Sequence, residues 1–409
     1  MIFDTAGWPR SRRRAAAEKD PVSITASNTC KEAKRSIGVI LSLRAAVQRW
    51  VLAITSVPEC GSPFCYPAAR ELHRLIPSHP WYRPMLLRSF IRRHPVYATT
   101  ALLAALDVTS VAHADDTSAG FFRMPLGKIT VVALSDGRFM LPASQLMVEP
   151  RKGEVAGALA KAHLDDGVPT SVNAFLIDTG DKRILIDTGS GAFLGATLGE
   201  VGQHLRAAGY RADQVDEVLI THLHADHVGG LIDHGRMVYP NATVRVDARE
   251  QAFWEDRGNA GKVDASVKAT FDAVATALKP YEAAGHVKPF KAGDTVGPGI
   301  TALDEPGHTA GHTGYRVESD GKVLLVWGDL VHLAAAQFPD PKVTIHFDST
   351  PADAIHTREK ALAAASKAGY LVAGAHIAFP GIGRVARGGT GFSWIPVGPV
   401  SVNHASPQP

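Results

Sequence analysis

The stretch THLHADHVGG, residues 221–230, places His222, His224, Asp226 and His227 within six positions. Imidazole and carboxylate side chains so close together are the donor set of a divalent metal site. In an extended segment His222 and His224 point to the same side, so both can converge on one ion. Asp226 and His227, on the turn that follows, can then face a neighbouring point. Two ligands per ion fall short, because a hydrolytic zinc site takes three or more protein ligands and leaves a position for water. The missing donors are expected at strand ends or in tight loops, where three candidates stand: His308 in EPGHTAGH, Asp329 in VWGDL and His376 in GAHIAFPG. His308 would complete the site of His222 and His224, and His376 that of Asp226 and His227. Asp329 would bridge both through its two oxygens.

The elements that must position these residues follow from the apolar pattern. KITVVALSDGRFMLP, from Lys128, reads as a short strand, an Asp-Gly turn and a second apolar run. VNAFLIDTGDKRILIDTG reads as a hairpin turning at Thr179-Gly180-Asp181. LGEVGQHLRAAGY has helical spacing, with Leu198, Val201 and Leu205 on one side and Gly209 as its stop. The strand DEVLIT then delivers the chain into His222. The later half repeats this grammar, with a hairpin turned at Asp320-Gly321, a strand ending at Asp329, a helix over 353–369 and the strand YLVAGAH ending in His376. Strands alternating with helices and antiparallel hairpins predict an α/β body with mixed sheets. No linker interrupts it after residue 128, so 115–409 is expected to be one domain.

The 409 residues carry a net charge of +3, but the charge is unevenly placed. Residues 1–84 hold 13 Lys/Arg against 6 Asp/Glu, whereas 115–409 hold 27 against 33. An acidic body without a basic stripe argues against nucleic acid as the main partner. All three cysteines, Cys30, Cys60 and Cys65, precede residue 85, so the body has neither a disulfide nor a thiolate ligand. Residues 85–114 run from Met85 through Arg88, Arg92 and Arg93 and an apolar segment to Ala112-His113-Ala114. That is the order of a secretory signal peptide, which predicts a periplasmic or secreted protein cleaved near Ala114. An ordinary amphipathic helix, and a cytoplasmic protein, is the alternative. Residues 1–84 cluster Pro and Arg without a sustained period and read as an unstructured extension or a start assigned too early.

The HxHxDH signature, the later PGHT, the strand-terminal GD and the final His together resemble the metallo-β-lactamase superfamily over residues 128–402. The resemblance implies a four-layer αβ/βα sandwich. The absence of cysteine and the Asp at 329 separate the chain from β-lactamases with a cysteine ligand. His224 and His227 around Asp226 differ from the HxExD pattern of the flavo-diiron members, which favours hydrolysis over redox work. LSDG, VNAFLIDTG, GATLG, PGHTAGHT, AAAQF and HIAFPGIG extend the similarity to the branch of methyl parathion hydrolases and dihydrocoumarin-type lactonases.

That resemblance implies two divalent ions, zinc first with manganese, cobalt or iron as alternatives. Between them a bridging water becomes a hydroxide, held by Asp226 and Asp329, that attacks an electrophile. Lactones, aryl esters and phosphotriesters all suit this charge pattern, so a lactonase or aryl esterase with secondary phosphotriesterase activity is expected. An organophosphate triesterase and a non-catalytic metal-binding module are the alternatives. A small hydrophobic substrate, a homodimer and no stable membrane insertion are also implied. For the substrate pocket the resemblance nominates Leu146, Leu194, Trp254, Phe271, His332, Ile345 and Phe347. Read from the residues alone, Trp254 and Phe271 fit helix-face core packing better than a pocket, and His332 fits a solvated loop equally well. The parathion-hydrolysing form is apolar at position 332, and this chain also departs from it at Leu146, Ile345 and Phe347, which favours a lactonase-like pocket. Asp187 reads as a turn-capping or ligand-supporting residue. His204, His234, His286, His312, His346 and His356 lie off the ligand pattern and read as surface or hydrogen-bonded histidines.

Overall fold

Residues 172–177, VNAFLI, are buried without alternation, the mark of a strand covered on both faces. The computed structural model describes residues 119–398. The readings of 1–84 as an extension and of 85–114 as a signal peptide lie outside the described residues. The covered strand is β4 (Gly167–Asp178) of a seven-stranded sheet ordered β1-β2-β4-β5-β6-β9-β10. Its other members are β1 (Phe121–Leu126), β2 (Ile129–Pro142), β5 (Arg183–Ile186), β6 (Glu217–Leu219), β9 (Thr243–Asp247) and β10 (Val287–Phe290). A second seven-stranded sheet runs β11-β12-β13-β14-β16-β17-β18. It holds β11 (Thr295–Gly297), β12 (Ile300–Asp304), β13 (Thr313–Ser319), β14 (Lys322–Val326), β16 (Leu371–Ala373), β17 (Ile382–Gly388) and β18 (Gly391–Pro396). Two small ribbons pair β3 (Met147–Val148) with β15 (Thr344–Ile345) and β7 (Ile232–Asp233) with β8 (Arg236–Met237). Both large sheets mix antiparallel pairs with parallel ones, such as β5 with β6 and β14 with β16.

The side-chain alternation of the strands sorts the core into layers. Val131, Ala133, Phe175, Ile177, Ile184 and Ile186 of the first sheet meet Ile300, Ala302, Tyr315, Val317 and Leu324 of the second. Residues of opposite parity, among them Val132, Leu134, Leu176, Leu185 and Val218, face helices instead. The helical partners there are α3 (Val201–Ala207), through Val201 and Leu205, and α6 (Thr270–Ala283), through Phe271, Val274 and Leu278. On the far side Leu325, Trp327 and Val372 pack on Ala361, Leu362 and Ala365 of α8 (Pro351–Ala368). The result is helix, sheet, sheet, helix: the four-layer αβ/βα sandwich. A satellite core under the cleft described below joins Leu141, Met147, Val343 and Ile345 to α2 (Glu154–Lys161). No helix among the described residues is long and apolar enough to cross a membrane.

The hairpin at Thr179-Gly180-Asp181 is present, with Asp178 opposite Arg183. The turn at Asp320-Gly321 joins β13 and β14, both residues having positive φ as a type I′ turn requires. Gly209 and Gly369 end their helices in the left-handed conformation, with φ of 78° and 67°. The expected turn at Asp136-Gly137 is instead a bulge inside one continuous strand, because the pairing of β2 with β4 shifts register between Ser135 and Gly137. Gly137 has φ of 119°, and a Cβ there would lie 2.1 Å from the Thr197 carbonyl. The bulge turns Asp136 inward, where its carboxylate accepts N–H bonds from Ser190 at 2.8 Å and Val201 at 3.3 Å. Burial, opposed by these bonds, pushes Asp136 up to about 6.

Candidate metal centre

The chain reaches the same edge of the two sheets four times. It leaves β6 through Thr221 into His222 and His224, then turns through the short helix α4 (Ala225–Val228), which carries Asp226 and His227. His308 follows β12, Asp329 follows β14 and His376 follows β16. Two groups of donors form there, His222/His224/His308/Asp329 and Asp226/His227/Asp329/His376, and within each group the donor atoms lie within 4.8 Å of one another. All seven residues predicted to ligate are thus brought together, in the predicted pairing. Asp329 belongs to both, though not with one oxygen for each group. Its Oδ2 alone lies 3.3 Å from His308 Nε2, 3.5 Å from His222 Nε2 and 3.0 Å from His376 Nε2, while Oδ1 faces His227 Nε2 at 3.2 Å.

The imidazoles are held from behind. His227 Nδ1 is 2.9 Å from Asp187 Oδ2, His308 Nδ1 is 2.9 Å from Asp348 Oδ1, and His376 Nδ1 is 3.0 Å from the Ser171 carbonyl. Each such bond fixes the ring and turns Nε2 to the centre. Asp187, at φ of 59°, also accepts the Thr221 N–H and hydroxyl, both at 2.8 Å, so it supports the motif and is not itself in either group. His312 is buried at the same place. It takes the Asp329 N–H on Nε2 at 3.1 Å, which leaves Nδ1 to donate to the Glu305 carbonyl at 3.0 Å. Burial pushes His312 down to about 3, consistent with that neutral tautomer.

Electrostatics set His222 and His224 apart from the other three imidazoles. Burial, then the neighbouring imidazoles, holds His222 and His224 well below the usual imidazole range. Burial works the same way on His227 and His376, but Asp329 and Asp226 outweigh it and hold both above that range. For His308 the same opposition ends at about 9, raised by Asp329 and Asp348. Burial would raise the carboxyls of Asp226 and Asp329, yet the facing histidines hold both far below the carboxylate range.

The donor set fits divalent cations. His222 Nε2, His227 Nε2 and Asp329 Oδ1 are buried without a hydrogen-bond partner, a costly condition that a coordinated cation would relieve. Five imidazoles and two carboxylates without a thiolate suit zinc, and also manganese, cobalt or iron. Asp226, with 18% of its side chain exposed, is the ligand candidate most open to the cleft above.

That cleft has Asp226, Asp329, His224, His332 and His376 at its floor and an apolar wall of Phe139, Leu141, Leu194, Leu198, Val267 and Phe347. None of its described lining residues is Lys or Arg. Of the nominated pocket residues, Leu194, His332 and Phe347 line it. Trp254 and Phe271 do not: both belong to the core behind His224, where the Trp254 ring lies 5.4 Å from His224 and 4.8 Å from Phe271. Ile345 is buried in the β3–β15 ribbon and Leu146 packs on the satellite core, and neither is among the residues that line the cleft. His332 is a buried residue rather than a solvated one, its Nε2 lying 3.2 Å from Asp329 Oδ2 and its ring stacked 5.1 Å from His376. Burial pushes it down to about 4. Phe139, Leu141, Leu198, Val267 and Thr270 line the cleft without having been anticipated. Strand alternation around exposed Met140 is the signal that could have placed Phe139 and Leu141 together.

Comparison with known proteins agrees with this geometry. Residues 167–376 match the metallo-beta-lactamase superfamily. The crystal structure of hydrolase AbOPH, of the beta-lactamase superfamily, is 37% identical, covers 68% of this chain and 97% of its own, and superposes with a TM-score of 0.65. AidC, a dizinc quorum-quenching lactonase solved with a product, is 25% identical, covers 69% of this chain and 99% of its own, and gives a TM-score of 0.63. A probable metallo-hydrolase of Mycobacterium tuberculosis is 25% identical over 191 residues, 40% of this chain, and the chain spans 57% of that relative's length. The chain belongs to the metallo-β-lactamase superfamily.

Proposed function

We propose that the protein is a metal-dependent hydrolase of neutral, largely apolar lactones or aryl esters, with phosphotriesters as secondary substrates. The observation that carries this reading is the pair of donor groups sharing Asp329 at the floor of an apolar cleft. His222, His224 and His308 would hold one ion, and Asp226, His227 and His376 the other, with Asp329 between them. When bound, two zinc ions supply Lewis acidity and an activated water at neutral pH. The chain does the rest. Asp187, Asp348 and the Ser171 carbonyl orient the imidazoles, and Asp226 and Asp329 set the negative charge at the reacting face. Phe139, Leu194, Leu198 and Phe347 exclude bulk water and hold the acyl or aryl group by contact.

The lack of a cation in the wall argues against substrates with a free carboxylate or a phosphodiester, which would lose hydration without a counter-charge. His332, polar and buried beside Asp329, supports a lactone or ester over a fully apolar organophosphate, as does the likeness to a dizinc lactonase. The order of residues 85–114 supports export of the enzyme. The test is turnover by the purified protein of an aryl lactone, an acyl-homoserine lactone, a methyl-esterified aryl phosphotriester and a β-lactam, with bound metal measured on the same sample. Lactone turnover above the others is expected. Two bound ions with no turnover would refute the hydrolase reading, and phosphotriester turnover above lactone turnover would reverse the ranking.

A further inference from the structure

Glu250 lies in the first turn of α5 (Ala248–Glu255) and is fully buried. Three N–H groups from three segments converge on its carboxylate. Oε1 accepts from the Leu223 backbone at 3.0 Å and from the Trp254 indole at 2.7 Å, and Oε2 accepts from the Gly311 backbone at 2.9 Å. Leu223 stands between His222 and His224, and Gly311 lies in the turn that follows His308. One carboxylate therefore ties together the two loops that bring three imidazoles to a point. Trp254, fixed by the same carboxylate, packs its ring against His224. None of these bonds reaches Asp226, His227 or His376.

The approach is close by design of the sequence. A Cβ at Gly311 would lie 2.5 Å from the Glu250 backbone nitrogen, so the loop after His308 can sit here only as glycine. Acceptors are needed at both oxygens. Glutamine would turn an NH2 group toward one of the backbone N–H donors, and an apolar residue would leave both unpaired in the interior.

We propose that Glu250 is the positioning residue of the His222/His224/His308 ion site, setting the affinity of that site separately from the Asp226/His227/His376 site. The proposal rests on the two-ion reading above. It is tested by loading the full-length protein with zinc, dialysing against graded chelator and counting retained ions. Wild type is expected to retain two. E250Q is expected to keep one with wild-type affinity and to hold the other about 10–100-fold more weakly. G311A, which pushes the loop off the carboxylate from the opposite side, is expected to show the same split. W254F, which removes only the indole donor, should keep both ions. Adding H376A to E250Q should leave no tightly held ion, which identifies the surviving site. Equal retention of both ions in E250Q and G311A, or equal weakening of both, overturns the proposal. If E250Q does not fold, G311A alone decides it. Failure of wild type to retain any ion would instead refute the two-ion reading itself.

Discussion

The donor centre and the cleft above it are neighbours built on different physics. In the centre most ligand candidates have a second partner. Asp187 stands behind His227, Asp348 behind His308, the Ser171 carbonyl behind His376 and the His312 ring behind the Asp329 backbone. Such bonds are directional, so position is specified to tenths of an ångström. The cleft wall is assembled from separate segments, including β2, the 194–198 loop and Phe347, through contacts that have no direction. Ligand positions are therefore over-determined, while the shape of the wall can change at low cost.

Substitutions at the centre should therefore be the most damaging. D329N removes the charge shared by both groups and is expected to lower turnover about a thousandfold and to weaken both ions. Steady-state kinetics with metal analysis would show it; retention of both ions at wild-type affinity would break the comparison. One shell outward, D187N keeps a residue that tolerates the left-handed backbone but loses the carboxylate against His227. Metal affinity, read by competition with a chelator, should fall about 10–100-fold.

Glu305 sharpens the contrast, because it is a buried carboxyl without the partners that Asp187 enjoys. Its Oε2 has no hydrogen bond, and burial pushes it up to about 8. Folded Glu305 thus keeps a proton that the unfolded chain releases near its ordinary value of 4.5. Stability contributed by this group is full below that value and falls as pH rises toward 8, by at most about 1.4 kcal/mol per pH unit. E305Q should flatten this slope in urea midpoints measured between pH 5 and 9, and an unchanged slope would contradict the assignment. The smallest effect belongs to the wall. F347L is expected to change KM for an aryl ester by about fivefold, corresponding to about 1 kcal/mol, with kcat and metal content unchanged.

The same contrast decides what could be read from the amino-acid sequence. The seven residues that meet at the centre were legible because their signals are local: a six-residue motif, then single His or Asp residues one or two positions after a glycine in the loops that follow strands. The four layers were legible less directly, through the family resemblance, while strand alternation alone gave an α/β body. Gly137 was misread because an Asp-Gly pair marks a turn and a bulge alike. Trp254 and Phe271 were placed in the pocket although a buried aromatic on a helix has the same spacing in a core as in a cleft. Glu250 and Asp348 were missed because the ligand loops they hold, at Leu223 and His308, are 27 and 40 positions away, and nothing local distinguishes them from surface acids. Directional support comes from tertiary contacts, so it becomes visible only once the chain is folded.

The most direct test of the central claim is turnover of an aryl lactone by the metal-depleted protein during stepwise return of zinc. Activity should be absent at the start, recover in step with ions bound, level off at two per chain, and fail to recover in D329N. Full turnover by the metal-depleted protein, or two ions bound without any turnover, would contradict the account.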